Sequence, residues 1–341
     1  MIYFRVDSNS IIASGHVMRC LSIADECRTC GIDCEFLIAD KNPIQMIERA
    51  GFSYEVLNSK WDDLEQEIHK VKDILKETEK PLLIIDTYYV TAHYIENLLP
   101  VAKVCYLGSK KENLGALSAL INYSTDVDYT FYKQTYDLKT KLLLGPGYAP
   151  LRKEFYQVDH VLTPEMRHIL LTTGNTDPQN MVGMILKELI ELSFFDELTI
   201  DVVVGNMFQN NDILFDNFKE DNILFHQHVT SMSNLMKHSD LAISANGTTV
   251  YELVASHVPA ITFAMVREQE ASAEALEKLG VVTYCGSSYI NHKKCIQKIV
   301  DKIKQYYIHP DTRILQEKRA SQIIGGDGCR KIVEELKLIM D

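Results

Sequence analysis

The sequence predicts an α/β protein built from two doubly wound, Rossmann-like halves. Short apolar strands alternate with amphipathic helices along the N-terminal half, which is typical of parallel sheets covered by helices. The alternation breaks around Gly145-Pro146-Gly147 and restarts near His168. With 341 residues, the chain is long for one core and suits two domains.

The N-terminal half repeats one strand-helix unit. The solidly apolar segment 82–85 is typical of a strand buried on both faces of a parallel sheet. Strands are predicted at 2–6, 34–38, 54–57, 82–85 and 103–107. Helices are predicted to begin at about His16 and to span 43–50, 61–77 and 91–99.

The C-terminal half repeats the pattern after a hinge at 148–164. Strands are predicted at 168–173, 198–204, 222–225, 241–244, 260–263 and 281–285. We therefore expect an N-terminal domain at 1–147 and a C-terminal domain at 165–310. The last helices, 311–341, are expected to cross back onto the N-terminal domain.

The first candidate site is the loop between the first strand and the first helix. It ends in Ser14-Gly15-His16, where free backbone N–H groups and the helix macrodipole suit an anion. Gly15 lets a ligand approach the backbone, and His16 is the one side chain there that can exchange a proton near neutral pH. His16 is either catalytic or a solvated residue that merely starts the helix. The segment 86–89 lies at the same edge of the predicted sheet, where ligands bind in such folds.

Two strand-to-helix turns in the second half resemble that site. After the strand at 168–173, Asp177 is expected to cap a helix beginning at the next residue, which makes a second anion site. The turn Asn246-Gly247-Thr248-Thr249 offers hydroxyls and amides that suit a diphosphate. Glu252, one turn into the following helix, is close enough to accept hydrogen bonds from a ribose diol. It is equally compatible with an ordinary capped helix and a solvated glutamate.

Composition excludes several classes of protein. The 35 basic and 47 acidic residues give a formal charge of −12, and no basic stripe suggests a nucleic-acid partner. Apolar runs fall far short of the roughly 20 residues that span a membrane, and no signal peptide precedes the first strand, so we expect a cytoplasmic protein without stable membrane insertion. Eight cysteines without an even framework fit a reducing compartment. The pair Cys27 and Cys30 lacks further ligands for a metal site, so we predict neither metal nor cofactor.

Several motifs, taken in order, resemble one enzyme family. They are Arg5-Val6-Asp7-Ser8-Asn9, Ser14-Gly15-His16-Val17-Met18-Arg19-Cys20, the run from Tyr148 to Tyr156, the run from Thr173 to Asn180, the Asn246 to Glu252 turn, Arg267-Glu268-Gln269-Glu270 and Gly326-Asp327-Gly328. Together they resemble the UDP-2,4-diacetamido-2,4,6-trideoxy-β-L-altropyranose hydrolase of pseudaminic acid biosynthesis, which is related to MurG-type glycosyltransferases. The resemblance runs essentially end to end.

The resemblance implies a glycosyltransferase-B fold, in which two Rossmann-like domains face each other across a cleft and the C-terminal domain binds UDP. It implies that His16 is the general base that activates water and that Tyr88 helps to position this water. Thr248 and Thr249 would contact the diphosphate, and Glu252 the ribose. Substrate or UDP binding is further assigned to Asp7, Gly15, Gly174, Asn175, Asn180, Gly247 and Gln269, and to the backbone near Met232 for the uracil.

Two loops depart from the family's pattern. The segment 107–111 reads Leu-Gly-Ser-Lys-Lys where the family carries a pair of aspartates. The loop after the first strand of the C-terminal domain reads Gly174-Asn175 where the family carries two glycines. Both loops border the expected cleft, so the identity of the sugar and of the acceptor stays open.

Three functions follow from these observations. The first is a UDP-sugar hydrolase that releases UDP and a free amino sugar. The second is a glycosyltransferase that passes the sugar to a lipid or carbohydrate acceptor, and the third is a non-catalytic nucleotide-sugar-binding protein. The acidic charge and the small basic cluster Lys110-Lys111 favour the soluble hydrolase over a membrane-associated transferase. The sequence leaves the oligomeric state open.

Overall fold

The computed structural model describes residues 1–9, 11–12, 14–160, 162–205, 207–209 and 211–341. The chain folds into two compact units. One unit comprises Met1–Lys153 together with Asp327–Asp341, and the other comprises Glu154–Gly326. The boundary after Lys153 lies within the segment 148–164 where the sequence predicts a hinge.

The first unit is built on one parallel sheet. Its strands are β1 (Ile2–Val6), β2 (Cys34–Ile38), β3 (Ser53–Val56), β4 (Leu82–Asp86), β5 (Lys103–Leu107), β6 (Ala119–Asn122) and β7 (Lys141–Leu144). In the described residues their order is β3-β2-β1-β4-β5-β6-β7. Its helices include α1 (Gly15–Thr29), α2 (Ile44–Arg49), α3 (Ile68–Lys76), α4 (Ala92–Leu98) and α5 (Tyr129–Thr135).

The second unit repeats this plan with a smaller parallel sheet. Its strands are β8 (His168–Thr172), β9 (Thr199–Val204), β10 (Ile223–Gln227), β11 (Leu241–Ala245), β12 (Ala260–Ala264) and β13 (Thr283–Ser287), in the order β10-β9-β8-β11-β12-β13 over the described ranges. Its helices include α6 (Met181–Leu189), α7 (Asn211–Asn217), α8 (Met232–Lys237), α9 (Thr248–Ala255), α10 (Glu270–Leu279), α11 (Ser288–Ile308) and α12 (Pro310–Ala320).

The last helix, α13 (Gly328–Met340), belongs to the first unit. Its apolar face, including Ile332 and Leu336, is buried in the core that Phe4 and Ile84 form on one side of the sheet. Alternate strand residues such as Tyr3 and Ile85 form a second core on the other side, because successive side chains of a strand point to opposite faces. The helix α12, by contrast, belongs to the second unit.

The predicted α/β class and the strand-helix alternation agree with the structure. The sequence reading missed β6 and β7, two four-residue strands, of which β7 ends directly before Gly145-Pro146. The predicted helix at 61–77 is shorter than expected, since residues 64–67 form a 3₁₀ turn and α3 begins only at Ile68.

Candidate active site

The strand order of the first unit brings two distant segments together. Strands β1 and β4 are parallel neighbours with Val6 opposite Asp86, so the segments that follow them start at the same edge of the sheet. Helix α1 begins at Gly15, and the imidazole Nδ1 of His16 lies 2.6 Å from the carboxylate Oδ1 of Asp86. Both residues are buried, with exposed fractions of 5% and 1%. The sequence reading noted the 86–89 segment but did not assign Asp86, although a carboxylate ending an apolar strand was a visible signal.

The carboxylate determines which nitrogen of His16 carries the proton in the neutral ring. An unprotonated Nδ1 would direct its lone pair at a carboxylate oxygen 2.6 Å away, which is unfavourable. With the proton on Nδ1, the ring donates a hydrogen bond to Asp86, and Nε2 keeps its lone pair. The Arg19 Nη2 atom, 3.0 Å from Nδ1, then makes its hydrogen bond to Asp86 instead. This tautomer presents Nε2 as a proton acceptor.

Arg19 keeps Asp86 ionised. Its Nε donates to Asp86 Oδ2 at 2.5 Å, and its Nη1 donates to the hydroxyl of Tyr123 at 2.9 Å. Burial alone would raise the pKa of Asp86, but the charges and hydrogen bonds of Arg19 and His16 outweigh it and lower the pKa below its usual value. An ionised Asp86 in turn raises the pKa of Arg19 although Arg19 is partly removed from water, so the two charges stabilise each other.

Tyr88 lies beside this cluster. Its ring meets the His16 ring edge-on, with centroids 4.8 Å apart, and 59% of the residue is exposed. The structure therefore brings together the two residues that the resemblance assigns to catalysis. Gly15 opens the same helix, and a Cβ placed there would meet no other atom within 4 Å, so space remains above the backbone.

Asp7 has a different environment from the one expected of a substrate ligand. It is 3% exposed, with one carboxylate oxygen 2.5 Å from Arg5 Nη1 and the other accepting the Ala39 N–H at 2.7 Å. Arg5 also donates to Glu67, which completes a buried ionic cluster. These contacts give Asp7 a role in fixing the ends of β1 and β2, and they argue against direct contact with a ligand.

In the second unit, the turn after β11 starts helix α9. Gly247 is the N-cap residue and has no side chain with which to cap the helix. Thr248 is exposed and Thr249 half-buried in its first turn, so their hydroxyls and amides lie at the positive end of the helix. Glu252 is half-buried one turn further on. Four predicted binding residues thus lie at the start of α9.

Asn246, which sequence reasoning did not assign, connects this turn to Gln269. Its Nδ2 donates to the backbone oxygen of Gln269 at 3.0 Å, and the Gln269 Oε1 accepts the Met265 N–H at 2.7 Å. Gln179, in the loop after β8, donates to the Met265 oxygen at 2.9 Å. These bonds hold the loops after β8, β11 and β12 against one another.

Gly174 and Asn175 lie in the loop after β8. Gly205, in the loop after β9, packs against their backbone. Gly174 adopts a left-handed φ of 84°. A Cβ at Gly205 would lie 2.4–2.5 Å from backbone atoms of Gly174 and Asn175, so only glycine permits this packing. The backbone oxygen of Asn175 accepts a hydrogen bond from the Met207 N–H at 3.1 Å.

The expected anion site at the next helix needs correction. Helix α6 begins at Met181 rather than at Pro178, because Asn180 takes a left-handed φ of 52° and delays the helix. The Asp177 carboxylate accepts the N–H groups of Met181 and Val182, both at 2.8 Å. A side chain of the protein therefore already occupies this helix N-terminus, and Asn180 stands at the N-cap position.

Met232 is the first residue of α8, and a glutamate of the boundary segment fixes the residues around it. The Glu154 carboxylate accepts hydrogen bonds from the hydroxyls of Ser231 and Ser233 at 2.8 and 2.9 Å, and from the Ser233 N–H at 3.2 Å. Sequence reasoning included Glu154 in a motif without assigning it this role. The hydrogen bonds of the described residues do not connect Met232 itself to the α9 turn.

The loop 107–111, where aspartates are replaced, is held by its lysines. Lys110 Nζ donates to the Val90 oxygen at 2.8 Å and lies 3.1 Å from Glu112, while Lys111 lies 3.4 Å from Asp128. Lys110 thus fixes the loop that carries Tyr88, and both lysines have carboxylate partners. Across the residues that the structure describes, no three His, Cys, Asp or Glu side chains are grouped so that they could hold a metal ion. Within the same residues, no helix combines the length and apolarity needed to cross a membrane.

Comparison with known families identifies part of the second unit. Residues 168–325 match the family model described as glycosyltransferase family 28 C-terminal domain. The match contains the α9 turn and the loops after β8 and β12, so the predicted UDP-binding residues from Gly174 to Gln269 all lie within it.

Relatives extend the similarity to the first unit. A protein of Methanocaldococcus jannaschii named only as uncharacterized is 27% identical over 98% of this chain and 68% of its own length. The UDP-2,4-diacetamido-2,4,6-trideoxy-beta-L-altropyranose hydrolase of Campylobacter jejuni is 25% identical over 82% of this chain and 97% of its own length. A Helicobacter pylori protein that combines this hydrolase with a pseudaminic acid cytidylyltransferase is 24% identical over 78% of this chain and 45% of its own length. The resemblance indicated by the motifs is therefore confirmed.

Solved structures show the fold. MurG of Acinetobacter baumannii superposes with a TM-score of 0.66 over 98% of both chains at 11% identity. Because the identity is so low, this likeness bears on architecture alone. Together with the two parallel sheets and the family 28 domain, it confirms the predicted glycosyltransferase-B fold. The fold and the hydrolase relatives together support an enzyme.

Proposed function

We propose that the protein hydrolyses a UDP-linked diacetamido-trideoxy hexose to UDP and the free sugar, as a step of nonulosonic acid biosynthesis of the pseudaminic type. The observation that carries this proposal is the pair of His16 and Asp86, 2.6 Å apart and buried at the end of β4. The pair leaves one imidazole nitrogen as a proton acceptor, as a general base for water requires. The names of the Campylobacter and Helicobacter relatives supply the sugar.

In the proposed reaction, a water oxygen attacks the anomeric carbon. His16 Nε2 takes a proton from this water, and Tyr88 helps to position it. The bond between the anomeric carbon and the diphosphate oxygen breaks, and UDP leaves with the bonding electrons. Asp86 stabilises the imidazolium that forms, since its lowered pKa keeps it negatively charged at neutral pH.

The second unit would hold the nucleotide. The first turn of α9, with Thr248 and Thr249, is proposed to bind the diphosphate and to stabilise the negative charge that grows on it. Glu252 is proposed to accept hydrogen bonds from the ribose, and the backbone near Met232 to contact the uracil. Gly174, Asn175, Asn180 and Gln269 are assigned to the phosphate or sugar edge. The bonds through Asn246 and Gln179 support this arrangement because they fix the loops that carry these residues.

A glycosyltransferase is the second candidate, and the family 28 domain at 168–325 favours it. It would pass the sugar to a lipid or carbohydrate acceptor instead of water. Lys110 and Lys111, the small basic cluster of the first unit, are both paired with carboxylates. Because carboxylates neutralise these two lysines, they attract anionic lipids less strongly, which favours the hydrolase.

The test is UDP release from UDP-amino-sugars without an acceptor, in ¹⁸O-labelled water. Label in the freed sugar supports attack of water on the anomeric carbon. Label in UDP means attack at phosphorus and contradicts the mechanism. If the protein binds UDP tightly but releases no UDP from the UDP-amino-sugars, the result favours a transferase that needs its acceptor.

A further inference from the structure

An aromatic surface of the first unit extends beyond the proposed catalytic residues. It consists of Trp61, Tyr88 and Tyr89, and we call it the aromatic surface. Tyr88 and Tyr89 are 59% and 42% exposed, and Trp61 is half-buried. Large aromatic side chains grouped at a protein surface commonly mark a contact with a ligand or partner.

One ring contact lies within the aromatic surface, and another connects the surface to His16. The rings of Trp61 and Tyr89 meet edge-on with centroids 5.3 Å apart, and Tyr88 meets His16 edge-on at 4.8 Å. Tyr89 follows Tyr88 in the chain, so the aromatic surface starts beside the histidine. Whatever His16 acts on is therefore close to Tyr88.

Hydrogen bonds hold the two loops that carry the rings. In the Trp61 loop, the Ser59 N–H donates to the Ala39 oxygen at 3.1 Å, and the Ser59 hydroxyl donates to buried Glu67 at 2.5 Å. In the other loop, the Tyr89 N–H donates to the Thr87 hydroxyl at 3.2 Å. The Val90 oxygen of the same loop accepts from Lys110. The aromatic surface is thus organised before any ligand arrives, which lowers the entropic cost of binding.

The charges around Trp61 indicate the kind of group that fits. The sequence there reads Lys60-Trp61-Asp62-Asp63-Leu64-Glu65, a rim with three carboxylates and one ammonium group. Asp63 accepts a hydrogen bond from Gln66, and Glu65 lies 2.6 Å from His93. A phosphate or an anionic lipid surface would be repelled by this rim. The aromatic surface instead suits a neutral group with apolar faces.

We propose that the aromatic surface is a subsite for the sugar ring of the nucleotide-sugar and that it selects a deoxy, N-acetylated sugar. This inference rests on the proposed function. A 2,4-diacetamido-2,4,6-trideoxy hexose presents the methyls of two acetamido groups and of C6, and only one free ring hydroxyl. Such methyl groups gain from contact with Trp61 and Tyr89, whereas a sugar with hydroxyls at C4 and C6 must give up water there. The rings thus discriminate between sugars near the anomeric carbon on which His16 acts.

The single tryptophan makes this testable, because Trp61 is the only Trp of the chain. Its emission can be excited selectively at the red edge of protein absorption during titration with the diacetamido-trideoxy UDP-sugar, UDP-N-acetylglucosamine or UDP. We expect a clear change with the first, a smaller one with the second and none with UDP, while calorimetry reports the binding of all three. An equal change with UDP and UDP-sugar would overturn the subsite.

Variants test the same point without the fluorophore. Tyr89→Leu should raise the KM for the diacetamido-trideoxy substrate about three- to tenfold, and Tyr89→Phe should restore it, because the ring rather than the hydroxyl makes the contact. The Kd for UDP should stay within twofold in both variants. Tyr307→Leu is the matched control, since this tyrosine also pairs with an aromatic ring, that of Phe194, but lies in the second unit at the end of α11.

The outcomes separate this proposal from the proposed function. If the substrate is hydrolysed but neither the emission of Trp61 nor the KM of Tyr89→Leu responds, the subsite is wrong and the hydrolase stands. If no UDP-sugar binds or reacts, both fall together. A change in Trp61 emission on adding neutral phospholipid vesicles without nucleotide would identify a lipid-binding surface and overturn the sugar subsite.

Discussion

The two halves of the molecule use different groups at two strand-to-helix turns, the start of α1 after β1 and the start of α9 after β11. In the first unit, buried charged side chains surround the start of α1, with Asp86 accepting from both His16 and Arg19. In the second unit, the first turn of α9 carries an exposed and a half-buried threonine. The first turn of α1 thus carries a histidine beside fixed charges, whereas the first turn of α9 carries threonine hydroxyls.

This difference fits a division of labour. A group that transfers protons must have a fixed tautomer and a stable partner, which buried charges provide. A group that binds an anionic leaving group needs donors that stay accessible, which a helix N-terminus provides. The comparison predicts that changes in the first unit affect turnover and folding, whereas changes in the second affect nucleotide affinity.

The largest expected effect is on turnover. His16→Asn should lower kcat for UDP release by about 10²–10⁴-fold, because the asparagine cannot accept the proton from water, and should leave the Kd for UDP nearly unchanged. Steady-state kinetics and calorimetry measure the two quantities. His226→Asn is a suitable control, since His226 also contacts an aspartate, at 2.7 Å, but lies on β10. A kcat within a few-fold of the parent would remove His16 from the mechanism.

The next effect is on stability. Asp86→Asn leaves the half-buried Arg19 without the carboxylate of buried Asp86, and breaking such an ion pair costs up to about 3–5 kcal/mol of unfolding free energy. Urea unfolding measures the loss, and turnover should fall as well because His16 loses the acceptor that fixes its tautomer. Asp73→Asn, which breaks the exposed pair with Lys76, should be indistinguishable from the parent. Equal stability of both variants would mean that the Asp86 cluster does not contribute as described.

Acid should abolish the difference in stability between the parent and Asp86→Asn. The pKa of Asp86 is lowered below 3.8 in the fold, so its ionised form stabilises the protein above that value, and this contribution is lost as the pH falls through the folded pKa. The stability gap between the parent and Asp86→Asn should be constant from neutral pH to about pH 4 and should narrow below it. A gap that narrows already near pH 6 would point to a different titrating group.

The same contrast explains which parts of the site the sequence could predict. The turn from Asn246 to Glu252 is local, so glycine, hydroxyl residues and helix spacing place it without knowledge of the fold. The contact between His16 and Asp86 joins residues 70 positions apart, and it depends on β1 and β4 being neighbours in the sheet. The alternation of strands and helices predicts where His16 and Asp86 lie in the chain. Only the order of the strands shows that the two residues meet.

Two further positions show what the motifs alone do not predict. Asp7 belongs to a motif of the resembling family, yet its bonds to Arg5 and Ala39 are visible only in the fold. Asp177 was expected to begin a helix directly, but the left-handed backbone of Asn180 shifts the helix start by three residues. Asparagine adopts the left-handed region more readily than most residues, but propensity alone does not say at which asparagine it occurs.

The smallest effect should appear in nucleotide affinity. Glu252→Ala should weaken UDP binding by about 1–3 kcal/mol, because the ribose hydroxyls lose their acceptor, while kcat at saturating substrate changes little. Glu188→Ala, which removes an exposed glutamate of α6 in the same unit, is the control and should bind UDP like the parent. Unchanged UDP affinity in Glu252→Ala would count against the ribose contact. A large fall in kcat with unchanged affinity would contradict the division of labour itself, because it would place a residue of the nucleotide-binding half in the chemical step.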